Sequence, residues 1–521
     1  MTKSRFEAFM ERKFKSNPTE ALFYTDAYKL DHRRQYPDGT QFVYSNFTAR
    51  KSRMADIHHT VQFGLQAFLQ DILMDRFEKF FAADEDEVAA EYTRKVNALL
   101  GENEVGNAHI RALHRKGYLP LRFCAAPEGS LVPIKVPSFT VENTDPEFFW
   151  LVNYIETAVS AATWQPATSA TIAAMFRKLL DMGAEKTSSV PEFVDWQGHD
   201  FSFRGMSSIE SAQSSGAGHL LSFTGTDSLT AIDWIEEFYP GDNGFIGGSV
   251  PATEHSVMCA GGEEGEEATF KRLLRLYRSG ILSVVSDTWD FWAVIRKGGI
   301  LDRLREDILS RDGKLVIRPD SGDPVDIICG TSRLTGIDAA FDTDEEKGAV
   351  QLLWELFGGT ENDKGFKELD PHIGLIYGDS ITPERAVEIM ARLAEKGFAT
   401  TNVVFGVGSF TYQYNTRDTF GSAMKATWVK FEYGIERNIF KNPKTDDGTK
   451  KSATGRLAVL NYMNGEKYLV EKATPEQEAA SVLQPVWENG QFIEGKKLSF
   501  KQVRENLKRD LGILERAGID F

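Results

Sequence analysis

Gly313-Lys-Leu-Val-Ile-Arg-Pro-Asp-Ser-Gly-Asp-Pro324 is the stretch on which the reading of this chain turns. Leu315, Val316, Ile317 and Arg318 have strand character, and their unbroken run predicts a strand covered on both faces, as in parallel sheets. Pro319 has no N–H to give to a ladder, so it ends the strand, and Ser321-Gly322 supplies a turn. Arg318 and Asp320 are therefore expected at the carboxyl end of a buried strand.

The pattern repeats on both sides. Leu282-Ser-Val-Val-Ser-Asp287 precedes it; Gly374-Leu-Ile-Tyr-Gly-Asp379 and Asn402-Val-Val-Phe-Gly-Val-Gly-Ser409 follow. Between the last two a helix is predicted, with Thr382 as N-cap, Pro383 at its first position, Ala386, Ile389, Met390 and Leu393 along one face, and Gly397 as stop. Strand, polar tip, helix, strand is the order of an α/β barrel, whose sites lie at the carboxyl ends of its strands. A single polar tip is ordinary turn chemistry; a series of them points to a site.

Composition narrows the classes. A chain of 521 residues has length for roughly three domains. Its 41% hydrophobic and 26% charged residues are ordinary for a globular protein. A net charge of −16 argues against general nucleic-acid or anionic-membrane binding, though a local pocket can still hold phosphate. Three cysteines, Cys124, Cys259 and Cys329, have neither metal-ligand spacing nor the makings of a disulfide framework. The first residues lack the apolar core of a signal peptide, and no run of about 18 apolar residues would span a bilayer. A soluble, cytoplasmic protein is expected.

Elsewhere the periodicity predicts a strand over Phe42–Phe47 and helical character from Val61 to Phe81. Short strands follow at Leu121–Cys124 and Val132–Ile134. Two helices are expected next, over about 147–162 and 168–183, the second stopped by Gly183. Further helices are predicted over Thr269–Arg278, near 349–357 and over Phe500–Leu514. Past about 415 basic residues accumulate, around a polar loop at 444–452.

Several groups of residues can do chemistry. In Gly198-His-Asp-Phe-Ser-Phe-Arg204 an aromatic ring beside an arginine offers a stacking face and a phosphate-binding cation, or simply a core Phe and a surface Arg. Asp227, in Phe223-Thr-Gly-Thr-Asp227, can accept from an amide or cap the helix beginning near Leu229. Gly247-Gly-Ser-Val-Pro-Ala-Thr-Glu-His-Ser256 puts a Glu–His pair after glycines that let a ligand come close to the backbone. Asp320 and Asp379, at strand tips, suit vicinal ribose hydroxyls or hydrated magnesium. Phe405-Gly-Val-Gly-Ser409 exposes N–H groups to an anion. A ring, a ribose and several phosphates would use all of these. There is no Gly-x4-Gly-Lys-Ser/Thr loop and no buried strand ending in paired acids.

Taken in order, Tyr24-Thr-Asp-Ala-Tyr-Lys29, Gln35-Tyr-Pro37, His199-Asp-Phe-Ser-Phe-Arg-Gly205, Gly225-Thr-Asp227, Val250-Pro-Ala-Thr-Glu-His-Ser256, Val284-Val-Ser-Asp287, Ile317-Arg-Pro-Asp-Ser-Gly322, Gly378-Asp379, Phe405-Gly-Val-Gly408 and Thr416-Arg-Asp418 closely resemble the nicotinamide phosphoribosyltransferase family. The resemblance implies a type II phosphoribosyltransferase fold: an α/β barrel over 186–414, beside an α+β domain assembled from 1–185 and 415–521. It implies a homodimer with shared active sites. The implied reaction joins nicotinamide to 5-phosphoribosyl 1-pyrophosphate, giving nicotinamide mononucleotide and pyrophosphate for NAD salvage, with Mg2+ as cofactor and ATP as co-substrate. By the same resemblance Phe201 and, from a second subunit, Tyr28 would sandwich the pyridine ring, with Asp227 and Arg318 at the carboxamide. Asp320 and Asp379 would hold the ribose, and Arg204, Arg50, Arg417, Lys425 and Lys441 the phosphates, with Gly408 in the phosphate loop. Ser283 and Gly378 would line the pocket, and His255, beside Asp287, would be the position phosphorylated by ATP. Two positions depart from the pattern: Ser409 replaces a frequent glycine, and Gly374 an arginine found in some relatives.

The nearest alternative is a nicotinate phosphoribosyltransferase. Asp227 argues against it, because a carboxylate accepts an amide N–H and repels a second carboxylate. A non-catalytic protein on the same fold, or a metal-dependent barrel aldolase, would leave His255, Asp320 and Asp379 in this order without a purpose.

Overall fold

The computed structural model describes residues 17–331, 343–378, 380–443, 445 and 452–521. Contacts divide the chain into two units, one of 1–171, 235–244 and 416–521, the other of 172–234 and 245–415. The boundaries expected at 185 and 414 compare with breaks at 171 and 415, and residues 235–244 go with the terminal segments.

In the first unit a seven-stranded antiparallel sheet interleaves both ends of the chain. Thr40–Thr48 pairs on one side with Ala423–Phe431 and on the other with Pro137–Asn143. Phe47, Phe68, Phe80, Phe123, Phe139 and Trp487 fill its core. Arg456, one of the basic residues past 415, lies over the rings of Tyr44 and Trp428 at 4.3 and 5.2 Å and pairs with Glu142 and Glu478. Its charge is structural there, tying the late segment to the early one. Most of the polar loop expected at 444–452 lies outside the described residues.

The second unit is built on six parallel strands, β1 (Gly198–Asp200), β2 (Gly225–Thr226), β3 (Leu282–Val285), β4 (Leu315–Arg318), β5 (Ile373–Tyr377) and β6 (Val403–Val407). They run in the order β2-β1-β6-β5-β4-β3. The sheet curls, and Gly248 bridges to Gly225 while Ala252 bridges to Ser283, so the segment between them joins the two edges. Four helices matter for the site: α1 (Ile209–His219), α2 (His255–Cys259), α3 (Pro383–Glu395) and α4 (Ser409–Tyr412). In α3 the Thr382 side chain accepts from the Arg385 N–H, Pro383 follows it, and Ala386, Ile389, Met390 and Leu393 are buried, as the sequence predicts.

Two expectations change. The strand β4 is not packed alike on both faces: Leu315 and Ile317 are fully buried, whereas Val316 and Arg318 face a cavity inside the barrel. Nor does the chain divide into the two helices expected over about 147–162 and 168–183. Glu156–Thr187 is one helix that runs through Pro166 and past Gly183. Gly183 is required for close approach instead of termination, since a Cβ there would lie 2.8 Å from Met390 Sδ and 3.1 Å from Thr400 Oγ1.

Candidate active site

The carboxyl ends of the six strands open into a cavity of about 1120 Å³, bordered by Phe201, Asp227, His255, Arg318, Asp320 and Gly408. A narrower chamber of about 310 Å³ continues from Phe201, Asp227 and Arg318 into the barrel, past Ser283, to Lys314.

Asp287 follows β3 and is buried. A buried carboxylate is costly unless donors replace its water. Its Oδ2 accepts from the Asp320 N–H at 2.9 Å and the Ser321 hydroxyl at 2.6 Å, while Oδ1 faces His255 Nε2 at 3.3 Å. Burial pushes its pKa up, but these donors, with His255 alongside, outweigh burial and hold it below the usual range. His255, the first residue of α2, is half-exposed to the cavity. With Nε2 turned to the carboxylate, Nδ1 is its remaining nucleophilic atom.

Asp227 is held the same way by different donors. Its Oδ1 accepts from His199 Nε2 at 2.9 Å and from the Ser249 hydroxyl. Burial raises its pKa, yet His199, Ser249 and the Arg318 charge together keep it lowered. The His199 ring lies 4.6 Å from Phe201, and the Arg318 guanidinium carbon 5.9 Å from that same ring. Arg318 donates to the Thr253 carbonyl at 2.9 Å and approaches Asp320 Oδ1 at 3.5 Å. Asp320 in turn is fitted against the tip of β5, where a Cβ on Gly378 would fall 2.0 Å from its Oδ1.

Both departures from the family pattern have a partner in space. The Ser409 hydroxyl packs where a Cβ on Gly205 would be, 2.0 Å away. A Cβ on Gly374 would meet the stem of Lys314 at 3.1 Å, so the room for a longer side chain at 374 is taken by a cation from the neighbouring strand. Burial lowers the Lys314 pKa, opposed by the charge of Asp370.

The second unit therefore brings Phe201, Arg204, Asp227, His255, Ser283, Asp287, Arg318, Asp320, Gly378 and Gly408 to the two connected cavities or directly behind them. Asp379 lies outside the described residues. Tyr28, Arg50, Arg417, Lys425 and Lys441 belong to the first unit. There Tyr28 is 64% exposed, Arg50 Nε donates to the Gly421 carbonyl at 2.9 Å, and Arg417 lies near Asp418. Lys425 shares Glu156 with buried Lys29, at 3.5 and 2.7 Å. Lys441 is exposed, its N–H donating to Ser452 Oγ. His199, Ser249 and Lys314 were not singled out from the sequence. The signal for His199 was available: it stands two residues before Phe201, the spacing that puts side chains of an extended segment on one side.

Residues 196–491 match the nicotinate phosphoribosyltransferase family, and residues 20–119 the N-terminal domain of nicotinamide phosphoribosyltransferase. A nicotinamide phosphoribosyltransferase of Acinetobacter baylyi is 51% identical over 511 residues, covering 96% of this chain and 98% of the relative. The chain belongs to the nicotinamide phosphoribosyltransferase family. A second member, from Mycoplasma pneumoniae, is 37% identical over 84% of the chain and 95% of its own length. Among solved structures, nicotinate-nucleotide pyrophosphorylase from Pyrococcus furiosus shares the fold with a TM-score of 0.56 at 15% identity, covering 96% of this chain and 98% of that one. Human nicotinic acid phosphoribosyltransferase does so at 0.50 and 16%, over 94% of each. The fold is that of the type II phosphoribosyltransferases.

Among the described residues no three His, Cys, Asp or Glu side chains are grouped to cage a metal. Single carboxylates on adjacent strand tips, Asp287 and Asp320, suit a magnesium ion that keeps its waters and is held largely by substrate phosphates.

Gly378→Ala tests the fit at the strand tips. The added methyl must displace the Asp320 carboxylate, so kcat/KM should fall by about 100-fold, in keeping with small misplacements of positioning groups. The melting temperature should stay within a few degrees; full activity would show that Asp320 is not held against this backbone.

Proposed function

We propose that this chain is a nicotinamide phosphoribosyltransferase, joining nicotinamide to 5-phosphoribosyl 1-pyrophosphate to form nicotinamide mononucleotide and pyrophosphate. The observation that carries the choice of base is Asp227, kept ionised by His199 and Ser249 beside the Phe201 ring. A carboxamide can donate to that carboxylate, whereas the carboxylate of nicotinate is repelled by it. The matched family model bears the name of the nicotinate enzymes. The N-terminal domain match and the relatives at 51% and 37% identity bear that of the nicotinamide enzymes.

The ring nitrogen of nicotinamide is the nucleophile and needs no base to activate it. As its lone pair forms the bond to the anomeric carbon, the carbon–oxygen bond to pyrophosphate breaks and its electron pair leaves with the pyrophosphate. Positive charge builds on the sugar and negative charge on the leaving group, so catalysis is mostly positioning and electrostatics. Phe201 orients the ring, Asp227 its carboxamide, and Asp320, with Asp379, the ribose hydroxyls. Arg204 and the backbone at Gly408 face the phosphates. Asp287 and Asp320 would hold a magnesium ion, which would offset part of the leaving charge.

ATP is a co-substrate in this reading. His255 Nδ1 takes the γ-phosphoryl group, releasing ADP, and water later cleaves the N–P bond to give phosphate. Asp287 holds the imidazole and stabilises it as charge develops. The enzyme acts as a homodimer in the cytoplasm, in NAD salvage, and the exposed Tyr28 with Arg50, Arg417, Lys425 and Lys441 serves the site of a second copy.

Three measurements test these statements. Pyrophosphate release should be faster with nicotinamide than with nicotinate by at least about 100-fold in kcat/KM, a difference of order 3 kcal/mol for a charge mismatch in a partly desolvated pocket. Asp227→Ser should narrow that ratio, and equal turnover of both bases by the intact protein would overturn the choice. Because the Asp227 pKa is lowered, the ratio should hold across neutral pH and fade only as pH drops through that depressed value. Next, γ-labelled ATP should leave an acid-labile phosphate on the protein but not on His255→Ala; label persisting there would reject His255. Finally, mixing inactive Asp320→Asn and Arg417→Ala subunits should restore about a quarter of the activity if sites are shared between random dimers. No recovery after subunit exchange would count against sharing.

A further inference from the structure

Behind the cavity lies a buried histidine that the mechanism above does not use. His219, the last residue of α1, is fully buried. Its Nε2 lies 3.0 Å from the Gly225 carbonyl and its Nδ1 2.6 Å from the Tyr412 hydroxyl. A carbonyl can only accept, so Nε2 carries the proton; Nδ1 is then a lone pair, and Tyr412 donates to it. The Phe223 ring stacks on the imidazole at 5.0 Å, and Tyr412 meets it edge-on at 5.7 Å. One neutral tautomer satisfies the whole contact.

The two partners of His219 belong to opposite sides of the site. Gly225 begins β2, two residues before Asp227, and a Cβ on it would lie 2.8 Å from His199 Nδ1. Asp227 is set at that tip by its N–H, which donates to the Asp200 carbonyl at 2.9 Å. Tyr412 ends α4, which starts at Ser409 immediately after Gly408. Gln413 Oε1, just beyond, accepts from the Ser207 N–H at 3.0 Å and the Ser211 hydroxyl at 3.3 Å, fastening the same segment to the start of α1. The imidazole is thus a rigid spacer between the backbone that aims Asp227 and the short helix that carries the Gly408–Ser409 turn.

We propose that His219 and Tyr412 form a latch of positioning residues that fixes the carboxamide-recognition side of the pocket relative to its phosphate side. Neither touches substrate. Each half of the latch serves a different substrate: the Tyr412 hydroxyl steadies the turn facing the sugar phosphates, and the His219 Nε2–H steadies the strand tip that presents Asp227. The proposal rests on the assignment of those two sides made under the proposed function.

Conservative substitutions separate the halves. In Tyr412→Phe the donor to Nδ1 is lost, and KM for 5-phosphoribosyl 1-pyrophosphate should rise about five- to tenfold while KM for nicotinamide stays within about twofold, the scale of one buried hydrogen bond. His219→Gln keeps an amide near the Nε2 position and loses Nδ1, so it should behave as Tyr412→Phe does, and the double variant should be no worse than either single one. His219→Asn keeps an acceptor near Nδ1 and loses the donor to Gly225, so it should raise KM for nicotinamide and spare the other substrate. Equal shifts for both substrates in every variant, or additive effects in the double variant, would overturn the latch. Arg204→Ala is the control for the underlying assignment. If it raises KM for the pyrophosphate substrate and Tyr412→Phe does not, the latch alone fails; if neither does, both readings fail. Independently of activity, nitrogen-15 spectra of histidine-labelled intact enzyme, assigned with His219→Gln, should show His219 as the Nε2–H tautomer. The Nδ1–H tautomer would overturn the proposal.

Discussion

The Asp287 carboxylate is the constraint on which the mouth of the barrel depends. Its two oxygens are shared among three chain segments: the turn after β4 through Asp320 and Ser321, the start of α2 through His255, and β3, which it follows. A negative charge in that position is tolerable only while the donors stay in place, so the cost of exposing it again fixes the strand tips together. Parallel pairing makes this possible, because Val284 lies opposite Ile317 and Val285 opposite Arg318, bringing consecutive tips to one level. Asp227 repeats the device with His199 and Ser249. Two aspartates of one barrel thus sit in different company, one beside the imidazole of His255 and the other lining the chamber beside the Phe201 ring.

Much of the second unit was legible because its signals are local. Leu282–Val285, Leu315–Arg318 and Val403–Val407 are short apolar runs closed by Pro, Gly or polar residues, and α3 carries cap, proline and apolar face in four turns or fewer. The errors came where a residue answers to a distant neighbour. Gly183 has the local look of a helix stop, yet its lack of a side chain is used against Met390 and Thr400. Val316 looks like core, but its face of the strand lines a chamber. Neither fact can be read from a window of neighbouring residues.

The site divides in the same way. His255, Asp287, Asp320 and Asp227 stand beside glycine, proline or serine turns that mark strand ends, so type and position reinforce each other. Lys314 and Ser249 do not announce themselves, since a lysine before a strand and a serine after two glycines are commonplace. It is the fold that brings Lys314 inside the barrel against Gly374, and Ser249 onto Asp227. His219 is harder still: its importance lies in which nitrogen meets Tyr412, 193 residues further along the chain.

The charge of the molecule and the charge of its site are separate matters. A chain with a net charge of −16 would repel a polyanionic substrate at long range, yet that interaction is screened over about 8 Å at physiological ionic strength. Inside that distance the field of the cavity is local: Arg318, 12% exposed, is held between Thr253 and Asp320, and Arg204 and Gly408 border the same cavity. Asp320 and Asp287 do not cancel this positive field, because one is engaged by Arg318 and the other by N–H and hydroxyl donors. In the proposed reading Asp227 and Asp320 take neutral donors, an amide and sugar hydroxyls, and the cations take phosphate. In the proposed reading, selectivity for nicotinamide over nicotinate would follow from that segregation: a carboxylate so well satisfied as an anion by His199 and Ser249 accepts an amide N–H and resists the proton needed to admit an acid.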